Sequence, residues 1–261
     1  MEERKARVLF YDLEVSRDIV EGYGNKWEFK VVKWVRHQEL MCYSYKWMGD
    51  ESPTFVYRHQ FTNMKQFLKS LRDLMHEADI TVAHNGKKFD DKMASRFFIK
   101  NNVDLPSPSF SIDTLQVARS KFKFPGNSLN DLAEYLELGQ KESITYRDLE
   151  DDFMSKNPKE ETIRLMETYN NMDVELLEKL YYKLRPAIAN HPNMARLMNV
   201  HDACPQCGAG EEHIGREKYR YTKMGVFMQY KCKLCKKYFQ SARPVERVDD
   251  VRPSFRNIAG N

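Results

Sequence analysis

Residues 7–15 read RVLFYDLEV, and the fold turns on how this run is placed. Alternate residues of a strand share a face, so Phe10, Asp12 and Glu14 point one way and Tyr11, Leu13 and Val15 the other. On an edge strand the two carboxylates would face solvent. The apolar neighbours point instead to a strand inside a sheet, where two carboxylates on one face repel unless a cation sits between them. Working outward, residues 39–48 (ELMCYSYKWM) and 54–59 (TFVYRH) are strand-like and flank Gly49-Asp50, a hairpin signal. Residues 64–77 place Met64, Phe67, Leu68, Leu71, Leu74 and Met75 at helical spacing. ITVAH at 80–84 is another strand, followed by a turn at Asn85-Gly86 and a helix from about Asp90 to Lys100. SFSID at 109–113 suggests one more strand, with Asp113 capping a helix over 114–121 and Ser128 capping LNDLAEYLEL. The longest helical pattern runs from Lys159 to Leu184, with Leu165, Met172, Leu176, Leu177 and Leu180 as its packing stripe and Pro186 at its end. An antiparallel set followed by strand–helix alternation predicts an α/β domain ending near residue 197, a mixed sheet flanked by helices.

The chain has 261 residues, 41% hydrophobic and 31% charged, which suits one ordinary domain plus a small one. No run approaches the ~18 apolar residues of a membrane span, so no membrane partner is expected. The start, MEERKARVLFYDLE, passes from charge straight into a strand with no apolar signal region. A cytoplasmic protein, in a bacterium or a phage-infected host, is expected. Net charge is +4, but residues 200–261 hold 12 Lys and Arg against 7 Asp and Glu. A basic end on a near-neutral body points to a polyanionic partner.

Further carboxylates stand where a core would not choose them. In AHNGKKFDDK, Phe89 is expected to anchor in the core, Asp90 to open a helix and Asp91 to be a solvated first-turn carboxylate. Asn85, Lys87 and Lys88 beside them are candidates for contacts to a substrate backbone. Tyr169 and Asp173, four apart, share a helical face. Each feature alone is weak, since an Asp at a helix start is commonly a cap and a Tyr-Asp pair commonly lies at the surface.

In this order, D-x-E on a first strand, N-x-x-x-F-D after a later strand and Y-x-x-x-D on a late helix resemble the three exonuclease motifs of the DEDD superfamily. These are DnaQ-like nucleases on a ribonuclease H-like fold. The tyrosine four residues before the last Asp resembles the DEDDy branch, whereas the DEDDh branch needs a His where Thr168 stands. The segments ELMCYSYKWMGD, EADITVAHNGKKFD, DTLQVARSKFKF, SLNDLAEYLELGQK, ETYNNMDVELLEKLYYKLRP and CPQCG are similar to a family of phage and bacterial ribonuclease H-like exonucleases with a C-terminal zinc ribbon. The resemblance implies a ribonuclease H-like fold and a 3′→5′ exonuclease using two Mg²⁺ or Mn²⁺ ions. It implies that Asp12 bridges both metals, that Glu14 and Asp173 complete the site of the water-activating one and that Asp90 serves the second. Tyr169 would then orient the attacking water. Single-stranded DNA or frayed ends are the expected substrate. An RNA exonuclease, a structure-specific endonuclease and a non-catalytic nucleic-acid-binding module are the alternatives.

Four of the five cysteines form two C-x-x-C pairs, Cys204/Cys207 and Cys232/Cys235, while Cys42 in LMCYSY reads as a small buried residue. Two such turns offer four thiolates to one structural Zn²⁺, with a redox pair the competing reading. The long gap between the pairs fits a hairpin through REKYRYT and FMQYKC, Gly208 relaxes the first turn, and His201 and His213 are not needed as ligands. Domains of 1–197, 198–243 (zinc ribbon) and 244–261 (mobile tail) are expected. The ribbon surface, with Arg216, Lys218, Arg220, Lys223, Lys231, Lys233, Lys236 and Lys237 among Tyr219, Tyr221 and Tyr230, suits a nucleic-acid clamp or a face for replication or repair proteins. Residues 26–37 interleave Lys26, Lys30, Lys33 and Arg36 with Trp27, Phe29 and Trp34. They read equally as a platform for single strands or as an amphipathic hairpin with its aromatics packed on the body.

Overall fold

The computed structural model describes residues 4–25, 28–139, 146–223 and 225–247. Lys26 and Trp27, and the expected tail beyond Arg247, lie outside them. In chain order the elements are β1 (Val8–Val15), β2 (Ile19–Gly24), β3 (Phe29–Arg36), β4 (Leu40–Trp47), β5 (Thr54–Tyr57), α1 (Met64–Glu77), β6 (Ile80–Ala83), α2 (Asp90–Lys100), β7 (Phe110–Asp113), α3 (Thr114–Lys121), α4 (Leu129–Tyr135), α5 (Tyr146–Phe153), α6 (Glu160–Leu184), α7 (Met194–Met198), β8 (Ile214–Thr222), β9 (Gly225–Cys232), β10 (Tyr238–Gln240) and β11 (Glu246–Arg247). The chain divides into two compact units, Arg7–Leu184 and a second formed by residues 185–261 with the first six residues. No helix among the described residues is long and apolar enough to cross a membrane.

The larger unit is built on a five-stranded sheet of order β5-β4-β1-β6-β7. β1 is antiparallel to β4 and parallel to β6, which is parallel to β7. The RVLFYDLEV strand is therefore central, and its alternation sorts the core. Leu9, Tyr11 and Leu13 pack with Phe67, Leu68 and Leu71 of α1 and Phe97 and Phe98 of α2. On the other face Phe10 meets Tyr181 of α6 edge-on at 5.3 Å. α6 also packs on α3 and α4 through Leu180 and Leu184 against Ala118 and Leu132. The caps hold as read: Asp113 accepts from the backbone N–H groups of Leu115 and Gln116, and Ser128 forms a reciprocal box with Asp131.

One expectation is corrected, one buried residue was not anticipated, and one of two open readings falls away. Leu176, Leu177 and Leu180 of α6 are buried as expected, but the stripe also runs through Thr162, Met166, Asn170, Asp173 and Val174. Leu165 is exposed, because the polar Asn170 and Asp173 turn inward toward β1 and set the helix phase. The α5 helix carries a buried carboxylate, Glu150, which no short-range pattern announced. β2 and β3 pair as a separate two-stranded antiparallel unit, whose Phe29 and Trp34 are exposed and not packed on the body.

The smaller unit holds β8, β9, β10 and β11 in one antiparallel sheet. Its β8–β9 hairpin fills the gap between the two cysteine pairs. Glu246 pairs with Val226 and Arg247 with Gly225, so the chain stays in the sheet beyond the point where a tail was expected.

Candidate active site

β1 pairs with β6 only from Val8↔Ile80 to Phe10↔Val82. Beyond Phe10 its backbone on that side needs other partners. Asp90, at the start of α2, meets the need: its Oδ1 accepts from the Leu13 N–H at 3.2 Å. Burial pushes the Asp90 carboxyl up to about 7, against the opposing pull of the Leu13 and Asp90 backbone N–H bonds and with the charges of Asp91 and Asp113 adding to the rise.

On the other face of the same strand end, Asp12 and Glu14 are half-buried and Asp173 of α6 is buried. One carboxylate oxygen from each lies within 4.8 Å of the other two. Three carboxylates this close repel unless a cation divides their charge. Their hard oxygen donors fit Mg²⁺ or Mn²⁺. Asp90 is outside this group of three but held to the same strand between Asp12 and Glu14. Tyr169 is half-buried one turn before Asp173.

A residue not anticipated completes the arrangement. Asn170 is fully buried, and its Nδ2 donates to Asp12 Oδ2 at 2.7 Å and to the Asp12 backbone oxygen at 3.4 Å. One oxygen of Asp12 is thereby held and the carboxylate fixed in rotation. Neighbouring Asn171 accepts from the Ser44 hydroxyl of β4 at 2.7 Å, so two consecutive amides of α6 seat it on the sheet.

The loop from β6 to α2 is a tight turn. Asn85 has φ +72°, its N–H donates to Asp113 Oδ1, and its carbonyl accepts from Lys88 and Phe89. An added Cβ at Gly86 would stand 2.6 Å from Ala83 Cβ, so the close approach requires glycine. Phe89 is 41% exposed and does not anchor in the core, since the turn spends its buried position on Gly86. Asp91 is not a solvated carboxylate either: it is half-buried and accepts from the Tyr11 hydroxyl and from Ser111 Oγ. Burial, then the Asp91 charge, holds the Tyr11 phenol well above its ordinary value. Lys87 and Lys88 are exposed, and Asn85 and Lys88 line a cavity of about 320 Å³ with Gln116 and Arg119 of α3. Cys42 is buried in a cluster with Met41, Phe55, Phe153 and Met166.

In the smaller unit Cys204, Cys207, Cys232 and Cys235 converge with all four sulfurs within 4.8 Å. The Cys204–Cys235 and Cys207–Cys232 Sγ separations are both 3.7 Å. A tetrahedron of ~2.3 Å zinc–sulfur bonds has edges of roughly 3.8 Å, so the donor set fits Zn²⁺. Hydrogen bonding with Cys204, then burial, drives the Cys207 thiol far up, and burial raises Cys235 to about 11. Such a cluster keeps thiolate charge only beside a cation. The residue after each pair has positive φ, Gly208 at +76° and Lys236 at +62°, so the two turns are alike. His201 and His213 stand outside the sulfur group. One expected surface cation is an internal brace: Lys237 Nζ donates to the carbonyls of Pro186 and Ile188 at 2.9 and 2.8 Å.

Residues 36–185 match the family described as the RNase_H superfamily, a stretch running from the end of β3 through α6. No curated protein matches the chain. Among solved structures it is similar to the family B DNA polymerase from the hyperthermophilic archaeon Pyrobaculum calidifontis, with a TM-score of 0.52 and 16% identity over 85% of this chain and 32% of the polymerase. The chain thus spans about a third of that polymerase's length, and the likeness is one of fold.

Proposed function

The chain belongs to the RNase H superfamily, and on that footing we propose that it is a metal-dependent nuclease of the DEDDy kind, removing nucleotides from the 3′ end of DNA. The observation that carries the proposal is the convergence of Asp12, Glu14 and Asp173 within 4.8 Å at the end of the central strand, with Asp90 held to the same strand by the Leu13 N–H. Asp12, Glu14 and Asp173 would hold one divalent cation, and Asp12 and Asp90 a second. When bound, such cations activate water and stabilise the leaving oxygen of a phosphodiester. The chain's own part is positional. Asn170 fixes Asp12, the Leu13 N–H fixes Asp90, and Tyr169, one turn from Asp173, holds the attacking water in line. In the smaller unit four cysteines would hold a structural Zn²⁺, and the exposed cations of β8 would contact phosphates. Single strands or frayed ends are the proposed substrate.

The test is a time course on 5′-labelled single-stranded DNA and RNA of one sequence, with Mn²⁺ or EDTA, beside Asp12→Ala. A metal-dependent ladder shortening from the 3′ end and missing in the variant is expected, together with an unchanged fold, since the substitution removes repulsion as well as a ligand. Tyr169→Phe should slow cleavage less severely, by roughly a hundredfold, the lower end of what one positioned proton-transfer group contributes. Full activity of Asp12→Ala would sink the reading. Cleavage of RNA alone, or internal cuts, would replace the substrate and keep the site.

A further inference from the structure

The β2–β3 hairpin leaves the sheet just past Val15, at the strand end that carries Asp12 and Glu14. Its base is tied down on both sides. Asp18 Oδ1 accepts from the Gln38 N–H, and Ser16 bonds Glu39 through its backbone and hydroxyl. Buried Glu150 accepts from the Arg17 backbone N–H and Nε and from Arg36 Nη2 at 2.8, 2.7 and 3.2 Å. A fully buried carboxylate bonded this way is costly to disturb, so the hairpin is a braced projection.

Cross-strand pairing sorts its residues. Val20↔Trp34, Gly22↔Val31 and Gly24↔Phe29 share one face, while Glu21↔Lys33 and Tyr23↔Lys30 share the other. On the first face the two glycines leave room for rings: a Cβ at Gly22 would stand 2.6 Å from the Phe29 ring. Trp34 stacks on His37 with centroids 4.8 Å apart and planes 25° apart. Phe29 is 53% exposed and Trp34 51%. Exposed apolar surface of this kind marks a binding face. The spaced open rings, the lysines on the reverse and the position beside the carboxylates together fit a polymer of flat bases and phosphates.

We propose that this face is a base-stacking platform for a single-stranded nucleic acid whose 3′ end lies at the acidic site, a proposal that rests on the nuclease reading above. On the described part of the hairpin, from Ile19 to Arg36, two acids (Glu21, Glu28) stand against Lys30, Lys33 and Arg36, and Arg36 is already engaged by Glu150. Stacking and not charge carries the contact, which makes it tolerant of sequence and insensitive to salt.

The test is fluorescence anisotropy of labelled oligothymidylate with the full chain in EDTA, across a salt series. Phe29→Ala and Trp34→Ala should each weaken binding about tenfold, the lower range for loss of one stacked base, and leave the slope of log affinity against log salt unchanged. Trp34→Phe should restore most of the loss, and all variants should keep the wild-type unfolding midpoint because the side chains are exposed. Unchanged affinity in both alanine variants would overturn the proposal. So would a wild-type dimer, seen by sedimentation velocity, that Trp34→Ala dissociates without altering oligonucleotide affinity. Mn²⁺-dependent hydrolysis of the p-nitrophenyl ester of thymidine 5′-monophosphate by the wild-type chain, run alongside, tests the nuclease reading separately.

Discussion

Asn170 stops the Asp12 carboxylate from turning, as the metal-holding role proposed for Asp12 requires. Its amide donates to Asp12 Oδ2 at 2.7 Å and to the Asp12 backbone oxygen at 3.4 Å, which fixes the carboxylate beside Glu14 and Asp173. Asn170→Ala should weaken Mn²⁺ binding by roughly ten- to a hundredfold, the usual cost of losing a partner behind a metal ligand, as read by calorimetric titration. Asn170→Asp should lower the unfolding midpoint of the metal-free protein, since it adds a fourth carboxylate to a crowded site. The role of Asn170 was hidden in the sequence for a physical reason. The apolar residues Leu165 and Met172 suggested a different phase for the helix, and a polar residue is read as outward-facing until its partner, 158 positions away, is known. Asp90 carries a second prediction. Its carboxyl, ordinarily near 3.8, rises to about 7 on burial. The folded state therefore binds a proton that the unfolded state has lost, and the associated stability is full below about 4 and lost as pH rises through 7. In metal-free protein the unfolding midpoint should fall by a few degrees across this window, and Asp90→Asn should flatten the fall. A midpoint with the same pH profile in wild type and Asp90→Asn would contradict it.

Elements differ in how much of them local sequence declares. β1, β4, β6 and β7 follow from alternation and turn residues, and α1, α2 and α3 from spacing and caps, so these seven elements could be placed along the chain, though not in the sheet, before the structure. The β8–β9 hairpin was legible because two C-x-x-C turns must meet. The α5 helix was not, because its meaning lies in Glu150, whose partners Arg17 and Arg36 are more than a hundred residues away. The order of the sheet, with the first strand in its centre, likewise depends on pairings between distant segments. For the smaller unit the matching prediction concerns the Zn²⁺ proposed for its four cysteines. So small a core cannot hold four crowded thiols together by itself. A strong chelator should abolish hydrogen-exchange protection in β8, β9 and β10 while β1, β4 and β6 keep theirs. Gly208→Ala should approach the same state from the other side, since it needs a Cβ at φ +76° and 2.5 Å from Met198 Sδ. Zinc content by metal analysis, and the exchange pattern before and after chelation, would check both.

At the scale of the whole molecule, charge is unevenly divided: net charge is +4 overall, yet residues 200–261 hold 12 cations against 7 acids. Not all of those cations are available to a polyanion. Lys237 is bonded to two carbonyls and Lys231 lies over the Tyr238 ring at 4.9 Å. Arg216, Lys218 and Lys223 on and beside β8 are exposed, and they are among the groups able to displace counterions from a nucleic acid. Each phosphate neutralised on a single strand contributes about 0.7 to the slope of log affinity against log salt. Replacing the three by Gln should thus reduce the slope by about 2, while Lys237→Gln should leave the slope alone and lower the unfolding midpoint of the ribbon. The hairpin variants should do neither, because stacking displaces few ions. The two contact surfaces are therefore separable by their salt dependence alone. If removing residues 200–261 left both affinity and slope unchanged, the ribbon would have no part in holding nucleic acid, and its basic strand would have to face a protein.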